Sequence, residues 1–192
     1  MLQVKEVCAQ SAIELIAFAA WRLKVFHRLA LLLVLLLSFH GLAGARPAQQ
    51  HRSGVVTRVV DGDTLWVRTP AAGKPLKVRI VGIDAPEICQ PGGRGAREAL
   101  RQRVLGQTVS ISYQRRDDYG RVLATVSWQG QDIGHWMVSH GHAWSYSYRR
   151  NPGPYAAEQS QAMAARRGLF ALGAAENPRD FRKRHGNCHS GT

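Results

Sequence analysis

The chain has 192 residues, of which 45% are hydrophobic and 20% charged, and 26 Lys and Arg against 13 Asp and Glu give a formal net charge of +13. That composition is too apolar for a disordered polyelectrolyte, and the length suits one domain with a real core rather than two. Three cysteines exclude a disulfide-dense mini-protein, and one long apolar run excludes a multi-span membrane protein.

In chain order, the first feature is that apolar run, Leu29 to Leu37, preceded by Arg22, Lys24 and Arg28 and followed by Ala43-Gly44-Ala45. A basic flank, a short apolar stretch and small residues before a cut describe a secretory signal peptide, cleaved near Ala45. Export or periplasmic residence follows from that reading; a single-pass anchor formed by residues 29–37 is the alternative, although a spanning helix needs ~20 apolar residues. Residues 1–21 are either an over-long start or a helical pre-segment and are set aside. Cleavage leaves 22 bases, 19 of them Arg, against 11 acids. Guanidinium forks match phosphate oxygens, so polyanionic partners are favoured; a basic protein held on anionic lipids or wall polymers is the competing reading.

Residues 46–53 are polar and read as a loose linker. Gly54 to Val60, Thr64 to Thr69 and Leu76 to Ile83 read as three strands, with the turn Asp61-Gly62-Asp63 between the first two. Arg94 to Leu105 repeats Ala96, Leu100 and Val104 at helical spacing and stops at Gly106. Thr108 to Tyr113 and Val122 to Trp128 complete five strands. Ile133 to His140 and Tyr155 to Arg167 read as two more helices, and residues 173–192 as a basic tail. Five short strands with a helix after the third predict a small OB-fold barrel with about three helices, spanning residues 54–172.

Exported chains keep disulfides, and once the leader is removed Cys89 and Cys188 are the two thiols left. A bridge between them would stabilise by ~4 kcal/mol in the chain-entropy model. A metal held by Cys188, His185 and His189 is the weaker alternative, because the paired spacing of a zinc module is missing. His135, His140 and His142 are too loosely spaced for a zinc site and read as structural or surface residues.

The scarce acids fall in two islands, Asp61 with Asp63 and Asp84 with Glu87. Pairing the second and third strands as a hairpin brings Asp63 beside Asp84, and two close carboxylates call for a cation or a shared proton. Carboxylate oxygens with a backbone carbonyl suit a hard ion such as calcium or magnesium. Arg79 and Arg121 flank the islands, and guanidiniums beside a metal suit phosphoryl chemistry, where charge grows on the phosphate oxygens. Taken singly, these are also ordinary turn sequences and solvent-facing strand residues.

Three segments in order, Asp61-Gly62-Asp63-Thr64, Val78-Arg79-Ile80-Val81-Gly82-Ile83-Asp84-Ala85-Pro86-Glu87 and Asp117-Asp118-Tyr119-Gly120-Arg121, resemble the signature segments of the staphylococcal-nuclease (thermonuclease) family. The resemblance runs from about Gly54 to about Leu172. It implies an OB-fold endonuclease that uses Ca2+ to hydrolyse DNA and RNA to 3′-phosphate products. Asp63, Asp84 and the Ala85 carbonyl would hold the calcium; the family's founding member has Thr at the Ala85 position, which leaves a carbonyl ligand intact. Asp61 would be an acid near the ion without touching it. Glu87 matches the general base, and Arg79 and Arg121 match the arginines on the scissile phosphate. Tyr119 would line the nucleotide pocket with Tyr146 or Tyr148, favouring single-stranded substrates. Trp144 is as readily a core residue. A monomer without an obligate protein partner is expected. The rival functions are a non-catalytic nucleic-acid-binding OB module and a membrane-tethered basic protein.

Overall fold

The alternating runs become strands because each buries every second side chain. In the computed structural model, residues 48–71, 73–173, 175–186 and 188 are described. The signal-peptide and anchor readings of residues 1–45 lie outside them. Among the described residues, no helix is long and apolar enough to cross a membrane.

Strand β1 (Gln50–Val59) pairs antiparallel with β2 (Thr64–Arg68) and β5 (Thr108–Arg116). Strand β2 pairs with β3 (Leu76–Ile80), and β5 with β6 (Val122–Trp128). Parallel pairing of β3 with β6, Val78 opposite Val122, closes the five strands into a barrel. Val56, Leu65, Val67, Val78, Ile80, Val109, Ile111, Val122, Ala124 and Val126 fill it. In β1 the register shifts between Val56 and Arg58, a bulge that lets Val56 and Val59 both point inward despite their odd spacing. Helix α1 (Gly93–Val104) buries Ala96, Leu100 and Val104 on the spacing read from the sequence.

Several boundaries differ from expectation. Gln50 to Ser53, expected as a loose linker, are part of β1, because β5 offers them partners from Tyr113 to Ser110. The third strand ends at Ile80 rather than Ile83. Gly82, at φ 78°, turns the chain so that Ile83 and Asp84 form a separate short strand, β4 (Ile83–Asp84), paired with β8 (Trp144–Ser145). A two-residue strand β7 (Gln131–Asp132) precedes helix α2 (Ile133–Ser139), whose N-terminus the Asp132 carboxylate caps. Helix α3 (Ala156–Ala164) follows, and then a 3-10 turn over Gly168–Leu172. Finally, the segment expected as a tail carries a fourth helix, α4 (Pro178–His185). Asn177 caps it, Pro178 occupies the first turn, four bases sit in the last turn, and Phe181 is buried.

Candidate active site

Backbone pairing assembles the acidic islands at one end of the barrel. Thr64 lies opposite Arg79, and the Ile80 N–H donates to the Asp63 carbonyl at 2.8 Å, so the start of β2 faces the end of β3. The Gly82 turn then swings Asp84 back toward Asp63. The Asp61–Asp63 loop packs so closely that a Cβ on Gly62 would lie 2.6 Å from the Ala85 Cβ and 2.9 Å from that of Ala96. Asp61 accepts the Asp63 N–H at 3.0 Å, fixing that loop.

Asp63 and Asp84 are both 3% exposed. Oδ2 of Asp63 accepts the Ala85 N–H at 3.0 Å, and Oδ1 accepts the Thr64 hydroxyl at 3.0 Å. The Arg79 guanidinium spans the two carboxylates, bonding Asp63 Oδ1 and reaching Asp84 Oδ1 at 3.2 Å. Burial works against ionising Asp63, but Arg79 and the Ala85 N–H outweigh it and hold the carboxyl below its usual range. Asp61 bonds no guanidinium: burial first, and the Asp63 charge second, push it up to about 7 against the more distant pull of Arg79. Burial also works against the Arg79 charge, yet Asp63 and Asp84 keep it raised.

Glu87 lies three residues beyond Asp84. Its N–H donates to Gln90 Oε1 at 3.2 Å and its carbonyl accepts the Gln90 N–H at 2.8 Å. A Cβ on Gly93 would fall 1.8 Å from that same carbonyl, so only glycine lets α1 begin against the Glu87 backbone. One further arginine reaches these acids, and sequence motifs did not reveal it. Arg182 of α4 donates from Nη2 to Asp84 Oδ2 at 2.8 Å, and from Nη1 to Asp84 Oδ1 at 3.1 Å and Glu87 Oε1 at 3.0 Å. Burial disfavours its charge, while the bonds to Asp84 outweigh that and raise its pKa.

The remaining expected residues form a rim. Arg121 precedes Val122, the partner of Val78, and strand alternation gives it the same sheet face as Leu123, which pairs with Arg79. Its guanidinium bonds Asp117 at 2.7 Å, with Tyr119 stacked on it at 5.3 Å. Tyr119 is 75% exposed, Tyr148 53% and Tyr146 43%. The Tyr146 N–H donates to the Gly82 carbonyl at 2.9 Å, which fixes that segment beside β4. Trp144 packs edge-on against Phe170, a core contact. Cys89 and Cys188 are bonded, their Cα atoms 5.9 Å apart. Among the described residues, no three His, Cys, Asp or Glu side chains stand in an open metal-holding cluster; guanidiniums occupy the carboxylates instead. The donors are all oxygen, and three carboxylates (Asp63, Asp84, Glu87) meet two guanidiniums, with Asp61 beside Asp63. That is a deficit a hard divalent cation fits.

A closed OB-type barrel with carboxylates and arginines converging at one end defines a class of phosphodiester-cleaving domain. Comparison with known proteins narrows it. The model of the family described as staphylococcal nuclease homologue matches residues 77–171. A protein of Escherichia coli named an uncharacterized endonuclease is 37% identical over 119 residues, 62% of this chain and 76% of that one. One of Haemophilus influenzae with the same name is 33% identical over 83% of this chain and 88% of its own. A probable staphylococcal-like nuclease of Oryza sativa is 37% identical over 60% of this chain and 30% of its own. The chain belongs to the staphylococcal-nuclease homologue family, and its class of enzyme is a hydrolytic nuclease.

Proposed function

We propose that the protein is an exported, calcium-dependent endonuclease that cleaves DNA and RNA, preferentially single-stranded, to 3′-phosphate products. The observation that carries this reading is the bridging of Asp63 and Asp84 by one guanidinium, with Glu87 joined to Asp84 through Arg182. Asp63, Asp84 and the Ala85 carbonyl would hold the cation, and Asp61 would add negative charge without touching it. The cation would supply Lewis-acid polarisation of a phosphate oxygen.

The protein's own residues do the rest. Glu87 orients the attacking water and takes its proton. Arg79, released from its carboxylates, and Arg121, released from Asp117, bind the equatorial phosphate oxygens as charge builds there. Loss of the 5′ oxygen leaves the phosphate on the 3′ side. Tyr119, Tyr146 and Tyr148 expose ring faces on which unpaired bases can stack. The surrounding arginines attract the polyanion and make binding fall with salt. Export is supported by the Cys89–Cys188 bond, since such bonds persist in oxidising compartments.

The test is digestion of single-stranded DNA and of RNA in calcium, in magnesium and in chelator, beside Glu87→Gln. Calcium-dependent release of acid-soluble nucleotides is expected, with termini extended by a polymerase only after phosphatase treatment. Glu87→Gln should lose about 10²- to 10⁴-fold in rate. Binding without cleavage under every condition would instead make the chain a binding module.

A further inference from the structure

Arg182 is absent from the three signature segments, yet it makes three of the hydrogen bonds at the acidic centre. Its arrival is built into the fold. Segment 87–90 anchors α4 by two separate ties: Cys89 is bonded to Cys188, and Gln90, 4% exposed, donates from Nε2 to the Glu176 carbonyl at 2.8 Å. Phe181, 8% exposed, seats the helix between those ties. Arg182, next to Phe181, then points into the centre with 27% of its side chain exposed.

The contacts leave Asp84 with little to offer another cation. Its Oδ1 accepts from both Arg79 and Arg182, and its Oδ2 from Arg182. A carboxylate oxygen has about two lone-pair sites, so Oδ1 is filled and Oδ2 is held. Arg79 belongs to a barrel strand, so its backbone stays beside both carboxylates, whereas Arg182 stands on a peripheral helix and can withdraw.

We propose that Arg182 is a resident counter-cation of the metal site, holding Asp84 and Glu87 until a divalent cation displaces it, so that α4 sets the site's cation affinity. This rests on the reading of Asp63 and Asp84 as metal ligands. A guanidinium and a divalent ion about 4 Å apart repel by an amount worth well over tenfold in binding even at an effective dielectric of about 20. By linkage each weakens the other equally. Withdrawal also frees the Arg182 fork and uncovers the Glu87 carboxylate, so the acid assigned to water is released by the same event.

The test is calorimetric titration of calcium into the purified full chain without substrate, for the parent, Arg182→Gln, Asp84→Asn and Cys89→Ser/Cys188→Ser. Arg182→Gln should bind calcium at least about tenfold more tightly than the parent, from the repulsion removed. The double-serine variant, which loosens the tether without touching the site, should bind more tightly by a smaller factor. It carries the test alone if Arg182→Gln does not fold. Parent binding that Asp84→Asn abolishes but that both other variants leave unchanged or weaken would overturn the role of Arg182 while the metal reading stood. Absence of calcium binding in the parent and in Arg182→Gln alike would overturn the metal reading, and this inference with it.

Discussion

Arg79 and Arg121 approach the site from neighbouring strands with similar side-chain exposure, 19% and 22%, but they keep different company. Arg79 sits between Asp63 and Asp84, whose side chains are 5% and 4% exposed. Arg121 leans on Asp117, which is 16% exposed and is separated from it by only four residues of the same loop. The first arginine neutralises charge that the fold has removed from water; the second folds a surface turn and shields little. Two groups expected to share one chemical role therefore differ in structural role. Burial of the partner, rather than of the arginine, makes the difference.

Substitution separates the two most sharply. Arg79→Ala strands the buried Asp63 carboxylate, whereas Asp84 keeps Arg182, and should cost about 3–5 kcal/mol of stability, read by urea denaturation. Arg121→Ala should cost under about 1 kcal/mol in the same measurement, as pairs within reach of solvent do. Both should lower kcat by about 10²- to 10³-fold if each stabilises the transition state. Equal stability losses would break the comparison. The Cys89–Cys188 bond comes next, since it closes a 99-residue separation and ties α4 to the buried side. Cys89→Ser/Cys188→Ser should lower stability by about 2–4 kcal/mol, and a loss confined to local fraying of α4 would show that the helix is an appendage.

The buried half of this contrast was legible in the sequence to a greater degree than its neutralisation. Asp61, Asp63, Arg79, Asp84 and Glu87 lie in two short segments joined by one hairpin, so strand pairing alone brings them together. The turn at Gly82 was missed because Val81 and Ile83 continue an apolar alternation; the glycine was the available signal. Arg182 and Gln90 depend on how α4 docks, 95 residues beyond Glu87 in one case, and no local pattern encodes such a contact. Asn177-Pro178, a helix start, and Phe181, an apolar residue among bases, marked that the last segment was more than a tail. For Arg121, the pairing with Asp117 follows from loop geometry that spacing does not specify.

On the exposed rim, Tyr119 sharpens the comparison by a smaller amount. Its ring covers Arg121 and is otherwise open, so Tyr119→Ala should leave the melting temperature unchanged. If a base stacks there, KM for single-stranded DNA should rise by the equivalent of about 1–3 kcal/mol while kcat changes little. A fall in kcat without a rise in KM would mean that the ring positions Arg121 instead.

The smallest effect is expected away from the site, where His142 lies 5.6 Å from the Trp136 ring and His140 stacks on the same tryptophan. Burial, and then the neighbouring His140, lower the His142 pKa below its ordinary 6.5. The unfolded chain therefore binds a proton here more readily than the folded one. Stability linked to this group is complete above about pH 6.5 and declines as the pH falls through the lower, folded value. Melting temperatures between pH 7.5 and pH 5 should thus fall slightly less for His142→Asn than for the parent. An unchanged slope would mean that the imidazole gains as many protons folded as unfolded, and that this cluster, unlike the carboxylates around Arg79, is in effect solvent-exposed.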